Sequence, residues 1–438
     1  MLAHRTAHDR EILRLALPAL GALAAEPLYV LIDTAIVGHL GTPELGGLGV
    51  ATALILSAYW LLAFLAYGTT GTVARLIGAG DERRAAAQGV QGMWLGLLLG
   101  VAIAGVGLAA AEWLVDVMGP SAAVRTHALT YFRISMAGLP ALLVVLAGTG
   151  YLRGIQDTRT PLLVVLVTVV ANLALEVVFV YGFRWGVAGS AWGTVVAQTG
   201  GAGWYVLVVG RSARVHEAGL RPSPALLRRL LRVSVSLLLR TAALRASLLV
   251  LTAVVSRLGT DDIAAQQVVF ELWTFLALVL DAIAIAGQTM TGRLLGAGDV
   301  DGARAATRRM IELSIVAGFG LAVIVVALRP WLPALFTPDD DVRSLAAFVL
   351  LFVALQQPIN GVTFALDGVL IGAGDGAYLA RAMTLSTLVF VPLAMIASAM
   401  DGGIGWMWSA FTVMQLVRAA TLVWRWRGSA WMVTGAER

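Results

Sequence analysis

Carboxylate side chains lie inside long apolar stretches of this chain. Glu26 and Asp33 fall within the apolar run 11–38, and Glu176 falls within the run 160–182. An isolated carboxylate at the middle of a bilayer costs about 2.5–3.5 kcal/mol on insertion scales, so such residues persist mainly where they face a cavity and have partners. Burial and a second nearby carboxylate both favour the protonated form, and the two groups then titrate as a unit. This chemistry suits the binding and release of a proton, and the same oxygens could chelate Na⁺.

The spacing of these residues predicts that they share helix faces. Glu26 and Asp33 are seven residues apart, which is nearly two helical turns, so both face one side. Asn172 and Glu176 are four residues apart and also share a face. Thr194 is the polar residue nearest the middle of the next predicted helix. We therefore predict a cation- or proton-coupling cluster of Asp33, Glu26, Asn172, Glu176 and Thr194; the alternative is a purely structural set of polar contacts.

A second polar stripe lies in the other half of the chain. Gln356, Asn360 and Asp367 are four and seven residues apart and fall on one helical face. We predict that they line a substrate cavity together with Glu271, which lies on another such stripe. Tyr131 is added as an aromatic ring that could contact a cationic substrate. Structural hydrogen bonding between helices is the alternative for these residues.

Long membrane-spanning helices are needed to hold these side chains. Of the 438 residues, 59% are hydrophobic and 13% are charged, about half the charged fraction of a soluble domain. Pro18 removes a backbone hydrogen bond two turns before Glu26, which predicts a hinge in the first helix. Hydrophobic runs separated by charge and Gly/Pro clusters predict twelve transmembrane helices near 11–38, 45–76, 84–110, 124–151, 160–182, 187–210, 229–257, 262–294, 303–328, 342–371, 377–399 and 404–426.

The positions of the arginines predict the orientation of the helices. About 23 of the 31 basic residues fall in the N-terminus, alternate loops and the C-terminal end, and about five fall in the other loops. This bias predicts that both termini are cytoplasmic, in a bacterial inner membrane. The net charge of +5 is then a feature of topology. We expect the lipid bilayer and small molecules as partners, no nucleic acid, and a monomer.

The chain repeats itself at an offset of 218 residues. RLIGAGD at 75–81 matches RLLGAGD at 293–299, and Pro140 matches Pro358. Since each copy holds six helices, both copies enter the membrane in the same direction, and their pseudo-twofold axis runs along the membrane normal. The second copy has leucines at the positions of the two acids of the first helix. This asymmetry favours a functional role for the acids.

The predicted fold is an all-α polytopic membrane protein with two pseudo-twofold-related six-helix bundles. Its predicted parts are an N-terminal lobe over 1–210, a cytoplasmic linker over 211–228 and a C-terminal lobe over 229–438. The sequence has no cysteine, no clustered histidines, no nucleotide-binding pattern and no hydrolase triad. We therefore expect no enzyme, no metal site and no cofactor, with H⁺ or Na⁺ as the coupling ion.

Two segments of the chain carry a family resemblance. PLYVLIDTAIVGHLGTPELGGLGVA at 27–51 resembles the first-helix signature of the multidrug and toxic compound extrusion family, in its DNA-damage-inducible F branch. PINGVTFALDGVLIGAGD at 358–375 resembles the tenth-helix signature of the same branch. The resemblance covers essentially the whole chain. It implies export of amphipathic, often cationic compounds by antiport with H⁺ or Na⁺ through alternating access.

The resemblance also assigns roles to single residues. The first-helix aspartate of the family corresponds to Asp33, and its kink proline to Pro18. The polar pair of the fifth helix corresponds to Asn172 with Glu176. The threonine of the sixth helix corresponds to Thr194, and the aspartate of the tenth helix to Asp367. The family pattern leads us to expect aspartate where this chain has Glu176, and the extra methylene changes the reach for Na⁺. Two alternatives remain: a lipid-linked precursor flippase of the same superfamily, which favours arginines lining the cavity, and a non-transport channel or structural membrane protein.

Overall fold

A computed structural model of the chain describes the backbone of residues 2–400 and 402–436, and their side chains except those of 2–7, Glu26, Trp60 and Val233. This part of the chain contains no strand. Its helices are α1 (Leu2–Gly38), α2 (Thr42–Leu62), α3 (Phe64–Gly78), α4 (Glu82–Ala109), α5 (Ala111–Val117), α6 (Ala122–Gly154), α7 (Arg159–Glu176), α8 (Val187–Val215), α9 (Pro224–Val255), α10 (Thr260–Gly296), α11 (Val300–Leu328), α12 (Asp340–Gly372), α13 (Gly376–Ala399) and α14 (Gly403–Arg427).

The twelve predicted membrane spans are confirmed. Among the described residues, ten helical segments are long and apolar enough to cross a membrane, and α2 with α3 forms one of them, Thr42–Gly78. The helices α8 and α14, with 29 and 25 residues, also have the length to span a bilayer and complete the twelve. Two local features were not predicted. The short helix α5 lies between two spans, and α7 continues into a six-residue π-helical turn, Val177–Gly182.

The contacts within the chain divide it into two units. The N-terminal unit is Gly21–Ser234, and the C-terminal unit is Val235–Arg438 together with Met1–Leu20. The helix α1 therefore contributes its first turns to the C-terminal unit and its remaining turns to the N-terminal unit. It runs without a break through Pro18, which lies within one turn of this division. The lobe boundaries at residues 210 and 229 stay a prediction.

Ion pairs hold the first turns of α1, which extend well before the predicted start at residue 11. Arg309 of α11 donates two hydrogen bonds to Asp9, of 2.5 and 2.9 Å. Arg293 of α10 donates a 2.6 Å hydrogen bond to Glu11. These contacts lie within the C-terminal unit and explain why the polar start of the chain is helical.

The segment between α8 and α9 is fixed to α4. The Gln91 side chain donates a 2.9 Å hydrogen bond to the carbonyl of Arg221 and accepts one of 2.8 Å from the backbone N–H of Ser223. The indole of Trp94 donates a 2.9 Å bond to the carbonyl of Leu220. The predicted linker is therefore tied to the N-terminal unit by side chains of a neighbouring helix.

Glycines bring α6 close to α3 in the N-terminal unit. A Cβ added to Gly150 would lie 2.6 Å from the carbonyl oxygen of Ala66, and one added to Gly154 would lie 3.0 Å from that of Thr70. Small residues four apart are the usual means by which membrane helices approach each other closely. The α3–α6 crossing therefore depends on these two positions having no side chain.

The C-terminal unit repeats this crossing with the residues 218 positions later. A Cβ on Gly368 or Gly372 of α12 would meet the backbone carbonyl oxygen of Ala284 or Gln288 of α10. Each of these four residues corresponds at the same offset to a residue of the α3–α6 crossing. The internal repeat seen in the sequence is thus a repeated packing contact.

Each unit has its own apolar core. In the C-terminal unit the core surrounds Trp408 and Phe411, whose rings meet edge to face with centroids 5.6 Å apart. In the N-terminal unit the core includes Val37, Leu48 and Phe132. The polar side chains described below lie between helices of a single unit.

Candidate coupling site

Asp33 is the centre of a buried polar cluster in the N-terminal unit. Asp33 is 5% exposed and lies on α1. The Ser190 hydroxyl, on the first turn of α8, donates a 2.5 Å hydrogen bond to Oδ1. The Tyr131 hydroxyl, on α6, donates a 3.3 Å hydrogen bond to Oδ2. Three helices therefore converge on this carboxylate, and both of its donors are uncharged.

Glu176 is the second carboxyl group of the cluster. It ends α7, where the chain widens into the π-helical turn, and it is fully buried. Gly193 of α8 lies directly against it, since a Cβ there would be 3.0 Å from Glu176 Cγ. The side chains of Glu176 and Asp33 interact. Among the described residues, neither carboxyl oxygen of Glu176 has a hydrogen-bond donor.

Thr194 connects the remaining members of the cluster. Its hydroxyl donates to the carbonyl oxygen of Ser190, one turn earlier on α8, at 3.2 Å. It therefore accepts from the Tyr29 hydroxyl at 2.7 Å and from Asn172 Nδ2 at 3.2 Å. Tyr29 is one turn before Asp33 on α1, so two turns of that helix are hydrogen-bonded to its neighbours.

The electrostatics of the cluster follow from its lack of positive charge. Within the described part of the chain, no arginine or histidine forms an ion pair with Asp33 or Glu176. Two buried carboxylates side by side repel each other and lose hydration, and sharing one proton removes the repulsion. The cluster can therefore bind and release protons. The described residues contain no group of three or more histidine, aspartate or glutamate side chains placed to hold a metal ion.

Asp367 lies in a different electrostatic setting in the C-terminal unit. Its Oδ2 atom accepts a 2.5 Å hydrogen bond from Arg240 of α9 and a second from Arg418 of α14. Arg418 is buried and also lies over the Phe364 ring, 5.9 Å from its centroid. Two guanidinium groups on one carboxylate stabilise its ionised form. Asp367 is therefore an ion-paired acid.

The other residues predicted to line the cavity, Gln356, Asn360 and Glu271, lie in two different environments. Gln356 donates to the Thr412 hydroxyl at 2.8 Å, and Asn360 accepts from Gln415 at 3.0 Å, so both bond α12 to α14 inside the C-terminal unit. Glu271 is exposed on α10 and accepts a 3.0 Å bond from Gln267.

The predicted coupling residues come together, with one exception that the structure does not describe. Asp33, Asn172, Glu176 and Thr194 form one cluster, whereas the side chain of Glu26 lies outside the described residues. Tyr131, predicted as a cavity residue, contacts Asp33. The roles of all these residues, and of Pro18 as a hinge, stay predictions.

Sequence reasoning missed three participants. The first two, Ser190 and Tyr29, each lie four residues from a predicted member of the cluster, which was the available signal. The third, Arg418, lies within the last predicted helix, three residues after Gln415, and its position there indicates a buried role for its charge.

Comparisons with known proteins agree with the repeat and the fold. The MatE family model matches residues 18–178 and 237–396, once in each half. The chain is 30% identical over 446 residues to DNA damage-inducible protein F of Escherichia coli (strain K12). This alignment covers 98% of this chain and 95% of that protein. It is 30% identical over 433 residues to Protein DETOXIFICATION 44, chloroplastic, of Arabidopsis thaliana, covering 95% of this chain and 81% of that protein.

Two solved structures share the fold. A multidrug resistance MATE family transporter of the MOP superfamily, in an outward-facing conformation, aligns with a TM-score of 0.88 at 24% identity, covering 97% of this chain and 96% of that chain. A MOP superfamily transporter from Pyrococcus furiosus Vc1 (DSM3638), described as having a binding pocket of reverse polarity, aligns with a TM-score of 0.88 at 23% identity over the same shares.

Proposed function

Because this chain belongs to the MatE family of membrane transporters, we propose that it exports small amphipathic, often cationic organic compounds in exchange for protons. The protein is a transporter and not an enzyme. The observation that carries the proposal is the buried Asp33–Glu176 pair, which has uncharged hydrogen-bond donors and no cationic partner among the described residues. Such a pair changes its charge by one when it takes up a proton.

Protons are favoured over Na⁺ by the hydrogen bonds already present. Both oxygens of Asp33 accept protein donors, and the Thr194 oxygen accepts from Tyr29 and Asn172. A bound Na⁺ needs several oxygen lone pairs directed at it, so these donors would have to turn away. A proton needs one acceptor and leaves most of the network in place.

The link from proton binding to movement runs through α1. In the proposed cycle a proton enters from outside and neutralises Asp33, which weakens the bonds that this carboxylate accepts from α6 and α8. The helix α1 then bends at Pro18, and the organic compound is released to the outside. The proton later leaves to the inside. The division of α1 between the two units near Pro18 supports this position for the hinge. From the distribution of its arginines we place the protein in the inner membrane with cytoplasmic termini. We propose that it works as a monomer.

The test is transport of ethidium, a fluorescent organic cation, in proteoliposomes with an imposed H⁺ or Na⁺ gradient. We expect the H⁺ gradient to drive transport and Asp33→Asn to abolish it, with Asp301→Asn, an exposed acid on α11, as the matched control. Transport driven only by Na⁺, or full activity of Asp33→Asn, would contradict the proposal.

A lipid-linked precursor flippase is the second candidate, because Arg240 and Arg418 place two guanidinium groups in the C-terminal unit. Guanidinium groups recognise phosphates well. These two are engaged with Asp367, which ranks the flippase second. Movement of a fluorescent lipid pyrophosphate across the same vesicles, with no ethidium transport, would reverse the order.

A further inference from the structure

The hydroxyl of Ser190 touches the coupling pair directly. Ser190 is fully buried on the first turn of α8, and its hydroxyl donates to Asp33 Oδ1 at 2.5 Å. We propose that Ser190 is a positioning residue that keeps Asp33 ionised, so that the resting proton of the pair resides on Glu176 and the transported proton binds Asp33. This inference rests on the proposed function, and it assigns separate tasks to the two carboxyl groups.

The donors around Asp33 favour its ionised form. Ser190 donates to one carboxylate oxygen and Tyr131 to the other. A hydroxyl group donates one proton, and a donor directed at a carboxylate stabilises the charged form. Ser190 is the closer of the two donors and therefore contributes more.

The surroundings of Glu176 favour its neutral form. It is fully buried, and within the described residues neither of its oxygens accepts a hydrogen bond. An ionised carboxylate without donors is expensive to bury. As a carboxylic acid, Glu176 has one O–H to donate, and the Asp33 carboxylate interacts with it. The asymmetry of donors therefore places the shared proton on Glu176.

The other polar groups that face the pair do not reverse this assignment. Tyr29 on α1 directs its hydroxyl to Thr194, and Asn172 on α7 directs one of its two amide N–H groups there. Asn172 and Ser190 also interact with Glu176, but neither makes a hydrogen bond of ordinary geometry to its oxygens. Thr194 in turn donates to the carbonyl oxygen of Ser190, which helps fix the turn that carries the Ser190 hydroxyl. When a second proton arrives, one O–H bond forms on Asp33. The Ser190 hydroxyl can then turn and accept from that new O–H, so no group loses all its partners.

The experiment is a pH titration of purified, reconstituted protein by difference infrared spectroscopy, which detects protonated carboxyl groups without requiring transport. Near neutral pH we expect a protonated carboxyl band that disappears in Glu176→Gln and persists in Asp33→Asn. A band that disappears in Asp33→Asn and persists in Glu176→Gln would overturn the assignment.

The role of Ser190 is tested by the midpoint of the titration assigned to Asp33. Removing the hydroxyl in Ser190→Ala disfavours the Asp33 anion, so the midpoint should rise by about one to two pH units, the effect of losing one hydrogen bond to a charged group. Ser190→Thr keeps the hydroxyl and should stay near the wild-type midpoint. Cysteine is a weaker donor of similar size, so the midpoint in Ser190→Cys should rise by less than in Ser190→Ala. The cysteine variant provides the test if the alanine variant does not fold.

The matched control is Ser386→Ala. Ser386 is also fully buried in a helix, but its hydroxyl bonds only to the carbonyl of Ala382, at 2.8 Å. An unchanged midpoint in both Ser190→Ala and Ser190→Cys would overturn the inference. Ethidium transport is measured in parallel. No proton-driven transport by the unsubstituted protein, with the infrared pattern as expected, refutes the proposed function alone. Proton-driven transport with the opposite infrared pattern refutes this inference alone.

Discussion

Replacing Gly150 with alanine tests the close crossing of α3 and α6, which α10 and α12 repeat in the C-terminal unit. The new Cβ would lie 2.6 Å from the carbonyl oxygen of Ala66 and 2.9 Å from Thr69 Cβ, whereas ordinary contact begins at 3.4 Å. The helices would have to separate by about 0.8 Å at this point, because the obstructing oxygen belongs to the backbone. Overpacking of this kind costs about 1–3 kcal/mol, which exceeds the gain of about 0.5–1 kcal/mol from replacing a helical glycine with alanine.

The control is Gly200→Ala on α8, where a Cβ would meet nothing within 4 Å. Thermal unfolding in detergent, followed by tryptophan fluorescence at one heating rate, compares the two variants. A net loss of about 1–2 kcal/mol should lower the apparent Tm of Gly150→Ala by about 1–2 °C, because the unfolding entropy of a chain of this length is about 0.9 kcal/mol/K. Gly200→Ala should leave the apparent Tm unchanged or slightly raised. Equal apparent Tm values for the two variants would refute the close packing, and with it the argument that the repeat is a repeated contact.

Three further predictions concern single side chains. Arg418→Met should lower the apparent Tm, at the low end of the about 3–5 kcal/mol cost of breaking a buried pair, because Arg240 still binds Asp367; an unchanged Tm would contradict the buried pairing. Tyr131→Phe should raise the Asp33 titration midpoint by less than Ser190→Ala does, because its bond of 3.3 Å is the longer one; infrared titration of both variants decides the order. Gln91→Ala should speed proteinase K cleavage between α8 and α9 relative to Gln88→Ala, because only Gln91 bonds to both Arg221 and Ser223 there; equal rates would show that the clamp does not hold the segment.

The fold and much of the polar cluster could be predicted because their signals are local in the sequence. Apolar runs give the helices, and a spacing of four residues puts Asn172 and Glu176 on one face. Ser190 had only the weaker signal of lying four residues before Thr194, since a polar residue near the start of a helix is ordinary and only the packing of α8 against α1 brings it to Asp33. The partners of Asp367 were equally hidden, because the relative register of α9, α12 and α14 is a tertiary property.

The halves of the chain differ most where the proton chemistry is proposed. Asp33 corresponds to Leu251 at the offset of 218, and beyond residue 375 the offset becomes 217, so Ser190 and Thr194 correspond to Met407 and Phe411. The three apolar counterparts lie in the core of the C-terminal unit, each no more than 1% exposed.

The C-terminal unit therefore fills the position of the polar cluster with packed side chains, while its own acid, Asp367, lies elsewhere and is held by arginines. An acid placed at Leu251 would have Met407 and Phe411 at the positions that correspond to Ser190 and Thr194, and without hydrogen-bond donors it would cost several kcal/mol to bury. We infer that a proton site on this scaffold needs the set of donors as well as the carboxylate. Among the described residues, the C-terminal unit has apolar side chains at the positions that correspond to Asp33, Ser190 and Thr194.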